Sequence, residues 1–121
     1  MGITAGIIII LMGIAHNLYG EKKQIPALKE LTEDSIMIGS LRIMIYQGGI
    51  LLLAVGVVQV LVSAHILELS GIAAYFPIGI VIINVITSLM IAALLHQEIF
   101  KITIPQFVIF ALVIALQILS I

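Results

Sequence analysis

Four long apolar runs, at about residues 3–19, 43–64, 78–95 and 102–121, leave this chain few ways to fold. The hydrocarbon core of a bilayer, roughly 30 Å thick, is crossed by about 20 apolar residues in a helix. Each run approaches that length without the alternation of a β-barrel strand, and in lipid only helices and closed barrels satisfy their own backbone. The expectation is all-α: a polytopic membrane protein with one domain over residues 1–121. Its four transmembrane helices form an antiparallel bundle, with a loop over 20–42. Composition points the same way, with 63% of residues hydrophobic and 9% charged, whereas about a quarter of a soluble domain is charged. A net charge of -1 offers no basic surface for nucleic acid. The absence of cysteine excludes disulfides and thiolate chemistry.

Orientation follows from where the cations lie. Lys22, Lys23, Lys29 and Arg42 fall between the first two runs and Lys101 between the last two, while residues 65–77 carry Glu68 and no Lys or Arg. Basic loops favour the cytoplasm, so a multi-pass protein of the cell membrane is expected, with both termini outside. The first run has no Lys or Arg before it and no small-residue cleavage site after it, and so reads as a span rather than a signal peptide. Pro77 and Pro105 fall near the starts of the third and fourth spans, where a missing N–H costs little. Residues 26–34 either form a short helix at the membrane surface or a solvated connector.

Small residues mark the packing faces. Gly6, Gly13 and Gly20 recur every seven residues on the first span, and Gly49, Gly56 and Ser63 do so on the second. Seven residues is close to two helical turns, so each set makes a seam along which another backbone can come close. The third span carries a small and polar stripe of Asn84, Ser88, Ala92 and His96, and the fourth has Ala111 and Ala115. Four short helices bury little surface, so some seams are expected to face a second protomer or another membrane subunit.

Polar residues within a span are functional candidates by default. They concentrate toward the cytoplasmic side: His16, Asn17, Arg42, Tyr46, Gln47, His96, Gln97 and Gln106, with Glu21 and Glu98 just beyond. Asn84, Thr87 and Ser88 lie near mid-span, and only Gln59, Ser63, His65, Glu68 and Gln117 lie toward the other side. His16 and His96 close the first and third spans. Each reads most simply as an interfacial residue bonded to a neighbour; the alternatives are contact with a proton or substrate, or axial ligation of a haem. Arg42 either holds an anion or pairs with Glu21 or Glu98. Asn84 and Ser88 either join helices or line a path. The segments around His16 and His96 also echo each other, since each histidine is followed by an amide, an aromatic and then Ile-Pro, as in a parallel repeat of two hairpins. No H-E-x-x-H, phosphate loop or intramembrane carboxylate pair occurs, so no catalytic set and no metal site is expected.

The stretch His16-Asn17-Leu18-Tyr19-Gly20-Glu21-Lys22-Lys23, followed by Leu41-Arg42-Ile43, resembles an uncharacterised group of small four-span prokaryotic membrane proteins. That group has a His-x-x-x-Gly-Glu-basic-basic turn and an arginine opening the second span. Its frequent Trp-His pair is replaced here by Ile45-Tyr46. The resemblance covers about a third of the chain; it implies four spans and transfers no activity.

Three function classes follow. The first is an accessory or structural membrane protein acting as a homo-oligomer or as a subunit of a larger complex. The second is a small-molecule or proton-coupled transporter. Four-span multidrug exporters, similar in size, carry a glutamate within span one, where this chain has none, leaving His16 or Arg42 to act. The third is a redox protein holding haem or quinone near His16 and His96.

Overall fold

The computed structural model describes residues 1–96 and 100–120, the last stretch with side chains from Ile104 onward. Every regular element among them is helical: α1 (Gly2–Tyr19), a wide π turn (Gly20–Gln24), α2 (Ile25–Leu31), α3 (Ser35–Ser63), a 3-10 turn (Gly71–Tyr75), α4 (Phe76–Leu94) and α5 (Phe100–Ser120). Three stretches, Gly2–Leu31, Ser35–Ser63 and Gly71–Leu94, are long and apolar enough to cross a membrane, and Ile104–Ser120 forms a shorter apolar helix.

The segment expected as a loop over 20–42 is almost entirely helical. Charge does not end a helix, because Glu, Lys and Gln are good helix formers. What the segment has to accommodate is Pro26, which lacks an N–H and whose ring would press on the carbonyl of residue 22 in a regular α-helix. The chain widens by one residue just before it, and Ile25 N–H bonds back to Gly20 O, five residues earlier. The helix then continues to Leu31 and breaks only at Thr32, which is extended. Asp34 starts α3 as an N-cap: its carboxylate accepts from Ile36 N–H at 3.0 Å, and its own N–H donates to Thr32 Oγ1 at 3.1 Å.

At the far end of α3 the chain turns through a Schellman motif. Ile66 N–H donates to Leu61 O at 3.0 Å and His65 N–H to Val62 O at 3.1 Å. The left-handed position, usually glycine, is filled by His65 with φ 61°. Pro77 sits in the first turn of α4, where it was expected. Pro105 lies inside α5, because that helix begins earlier than its apolar run.

The helices form a ring of four. α1 packs most extensively on α3, α5 bridges α1 and α4, and α4 closes against α3. All four meet in a small core of Ile9 from α1, Leu52 and Val55 from α3, Val81 from α4, and Phe110 and Val113 from α5. Much of the outward surface of the long helices is apolar, with Leu11, Met44, Ile50, Ile83, Met90 and Leu112 all exposed. The two expected hairpins differ in closeness, since the α1–α3 contact far exceeds that of α4 with α5.

Candidate functional site

The α1–α3 contact is built by the two glycine seams. A Cβ added at Gly13 would lie 2.8 Å from Gly49 O and 3.0 Å from Leu53 N. One added at Gly56 would lie 2.8 Å from Gly6 O, and one at Gly6 would lie 2.9 Å from Gly56 O. Backbone thus faces backbone in both directions, a geometry suited to weak Cα–H···O contacts. At one end Gly2 meets Ser63, and at the other Gly20 meets the side chain of Ile45. Gly6, Gly13, Gly20, Gly49 and Gly56 therefore all lie in the helix contact.

This close approach positions the polar residues at the basic end. The Asn17 carboxamide occupies the volume that a Gly49 side chain would fill, and its buried Oδ1 has no hydrogen-bond partner. His16, half-buried, lies over Gly48, with Nε2 3.2 Å from the place of a Cβ there. The π turn brings Glu21 toward α3, where Arg42 grips it with two hydrogen bonds, Nε to Oε2 at 3.1 Å and Nη2 to Oε1 at 2.9 Å. Tyr46 O–H, one turn along α3, donates to Glu21 Oε2 at 3.4 Å. The paired side chains keep 40% and 38% of their surface exposed, so this is a clasp at the edge of the bundle rather than a dry site. Arg42 takes the Glu21 alternative; Gln97 and Glu98 lie outside the described residues, as does the side chain of Lys101.

His96 does not join this group through a shared face. It follows α4, which stands diagonal to α1 in the ring, and it is exposed there. No three His, Asp or Glu side chains among the described residues converge on one point. Asn84 turns its Nδ2 onto Ile80 O of its own helix at 2.9 Å, which gives this mid-helix amide a partner within α4. The stripe expected along the inside of α4 is divided: Ala92 is buried, Asn84 half-buried and Ser88 exposed. A spacing of four residues drifts around a helix by about 40° per step, so four members at that spacing cannot hold one face. Ala111 and Ala115 are exposed on α5.

A concavity lies at the opposite end of the bundle, where fewer candidates were expected. A cavity of about 690 Å³ opens between the start of α1, the end of α3, the connection leading to α4, and the end of α5. Gln59, Ser63 and Gln117 contribute a chain of side-chain hydrogen bonds to its wall. Gln117 Nε2 donates to Gln59 Oε1 at 3.1 Å, and Gln59 Nε2 donates to Ser63 Oγ at 3.1 Å. Gln117 is 1% exposed and Gln59 7%, and Gln117 Oε1 is left without a partner. His65 and Glu68 also line the cavity. Gln59 and Gln117 are 58 residues apart; no spacing rule links them, and their similar position near the C-terminal ends of two helices was the only available signal.

Comparison with known protein families, with curated proteins and with solved structures finds no match to this chain.

Proposed function

We propose that this chain is an integral membrane protein serving as a small structural or accessory component, either as a homo-oligomer or as a subunit of a larger membrane complex. Helix lengths and the apolar outward surface support insertion. The separation of Lys22, Lys23, Lys29 and Arg42 from the cavity end supports a topology with the basic end in the cytoplasm. The observation that carries the accessory reading is on α4, where Thr87 and Ser88 point outward among exposed Ile83, Ile86 and Met90. Hydroxyls and small residues on an outward face are what neighbouring helices in lipid use for close contact.

The chain has no cysteine, so single introduced cysteines report cleanly. Ser88→Cys is expected to crosslink in native membranes, to itself or to another subunit, while Ile7→Cys on the exposed face of α1 is not. Equal crosslinking from the two, or none, removes the accessory reading. Lys22→Cys and Ser70→Cys are expected to react with impermeant reagents from opposite sides; reaction from one side removes the topology.

A further inference from the structure

We propose that a groove on the outer face of α3 binds one anionic phospholipid, its headgroup at Arg42 and an acyl chain lying along the groove. The inference rests on insertion of the bundle in a bilayer and adds a specific lipid partner to it.

The groove, of about 500 Å³, is lined by Ile43, Tyr46, Gln47, Ile50, Leu51 and Ala54. These positions recur at one-, three- and four-residue steps, so they form a single strip along α3. At about 1.5 Å per residue the strip runs about 16 Å from Ile43 to Ala54. Its polar groups, Tyr46 and Gln47, stand toward the Arg42 end, and from Ile50 to Ala54 the wall is aliphatic. A phospholipid presents the same order along the bilayer normal, with polar headgroup at the interface and hydrocarbon within.

Unspent donors gather at the polar end. Tyr46 joins the groove to the clasp, since it lines the one and donates to Glu21 Oε2 in the other. Arg42 bonds Glu21 through Nε and Nη2, and 40% of its side-chain surface stays exposed. Among the described residues nothing else engages the guanidinium, so Nη1 is left for a second anion. Gln47 is exposed and has no hydrogen-bond partner among the described residues. An amide facing lipid in that condition is costly, and the ester and phosphate oxygens of a lipid are acceptors at the matching depth.

Charge agrees with an anion. Lys22 and Lys23 share the π turn with Glu21, so with Arg42 three cations meet one carboxylate, which Arg42 already binds. Lys29, Glu30, Glu33 and Asp34 lie eight or more residues along their helices from Glu21 and Arg42. That is about 12 Å or more, beyond the Debye length of about 8 Å at physiological salt. Met1, with its α-ammonium, His65 and Glu68 line the cavity at the opposite end. A second copy docked on this groove about an axis along the bilayer normal would bring the two cationic turns together, because the same patch then faces itself. A lipid phosphate meets no such repulsion.

The chain has no tryptophan, so one introduced at Val57, exposed just beyond Ala54, reports on the foot of the groove. The test is fluorescence quenching of the full chain in vesicles of phosphatidylcholine and phosphatidylglycerol, with either lipid brominated on its acyl chains. At Val57→Trp, phosphatidylglycerol is expected to be favoured about fivefold, the scale of one basic side chain near an anionic headgroup. Leu112→Trp, exposed on α5, is expected to show no preference. Glu21→Gln/Arg42→Met keeps the net charge of the site and should abolish the preference at Val57→Trp. Gln47→Leu should reduce it, and because Gln47 is exposed the bundle stays intact. The proposal is overturned if both tryptophans show the same preference, or if the preference survives these substitutions. Quenching at Leu112→Trp with none at Val57→Trp also overturns it, since protein then covers the groove. Quenching at neither position overturns insertion itself, and the lipid site with it.

Discussion

Substituting alanine at Gly13 tests whether backbone contact holds the α1–α3 pair together. The added Cβ lands 2.8 Å from Gly49 O, whereas comfortable C···O separations begin at about 3.3 Å. The helices must therefore part locally by about half an ångström. A carbonyl fixed in a helix cannot rotate aside, and Leu53 N, 3.0 Å away, blocks the neighbouring direction. Overpacking of this kind costs about 1–3 kcal/mol. Gly39 is the matched control, since it lies inside α3 with nothing within 4 Å of the place of its Cβ. Alanine there is expected to be neutral or stabilising by up to about 1 kcal/mol, through helix propensity alone. The assay is SDS titration of the detergent-solubilised protein, followed by energy transfer between dyes on cysteines introduced at exposed Leu18 and Met44, near the same end of α1 and α3. Because Gly6 makes the same kind of contact with Gly56, the double variant Gly6→Ala/Gly13→Ala should lose less than the sum of the single losses: once the helices have parted, the second methyl meets less resistance. If Gly13→Ala is as stable as Gly39→Ala, the seam is not a backbone contact and the reasoning fails.

Other substitutions separate strong interactions from weak ones. A double-mutant cycle of Glu21→Gln with Arg42→Met should give a coupling of about 0.5–1 kcal/mol that falls as salt rises, because the pair is well exposed; a salt-independent coupling above about 3 kcal/mol would mean that the clasp is dry. Tyr46→Phe should change stability by less than about 0.5 kcal/mol, since the bond it removes is long at 3.4 Å. Gln117→Leu and Gln59→Leu should each cost about 1–3 kcal/mol by stranding the other's amide, while the double variant comes close to wild type in the same unfolding assay. His65→Gly should raise stability by roughly 1 kcal/mol through relief of the left-handed position, and a loss instead would show that the imidazole has contacts worth more than that strain.

The parts of this molecule legible in its sequence are those governed by one helical period. Gly6, Gly13 and Gly20 repeat every two turns, and so do Gly49, Gly56 and Ser63, so each row marks a face without knowledge of its partner. That the two rows meet antiparallel follows from a short connection. The pairing of Arg42 with Glu21 was also among the readings open in the sequence, being the joining of two opposite charges at similar depth. The π turn was not legible, because polarity at Glu21, Lys22 and Lys23 imitates a loop while their helix propensity and the accommodation of Pro26 decide the backbone. The amide chain was hidden for a different reason. Gln59 and Gln117 belong to different helices, and only the packing of α5 into the ring brings them within 3.1 Å.

The two ends of the bundle follow from one asymmetry in packing. The glycine seams hold α1 against α3 from the Gly2–Ser63 contact to the Gly20–Ile45 contact, so this pair has little freedom to open along its length. α4 and α5 lack such a seam: Ala111, Ala115 and Ser88 all face outward, and their contacts with the rest of the ring are sparser. Any opening of the ring therefore spares the α1–α3 contact and involves α4 and α5, at the boundary of the seamed pair or between themselves. The cavity lies on that boundary, taking Gly2 and Ser63 from one side and Ile78 and Gln117 from the other. The Gln117–Gln59 hydrogen bond crosses the same boundary. Gln117 is thus the side chain that ties α5 to the seamed pair at this end of the bundle. The Glu21–Arg42 clasp, lying wholly within the seamed pair, is mechanically separate from that movement.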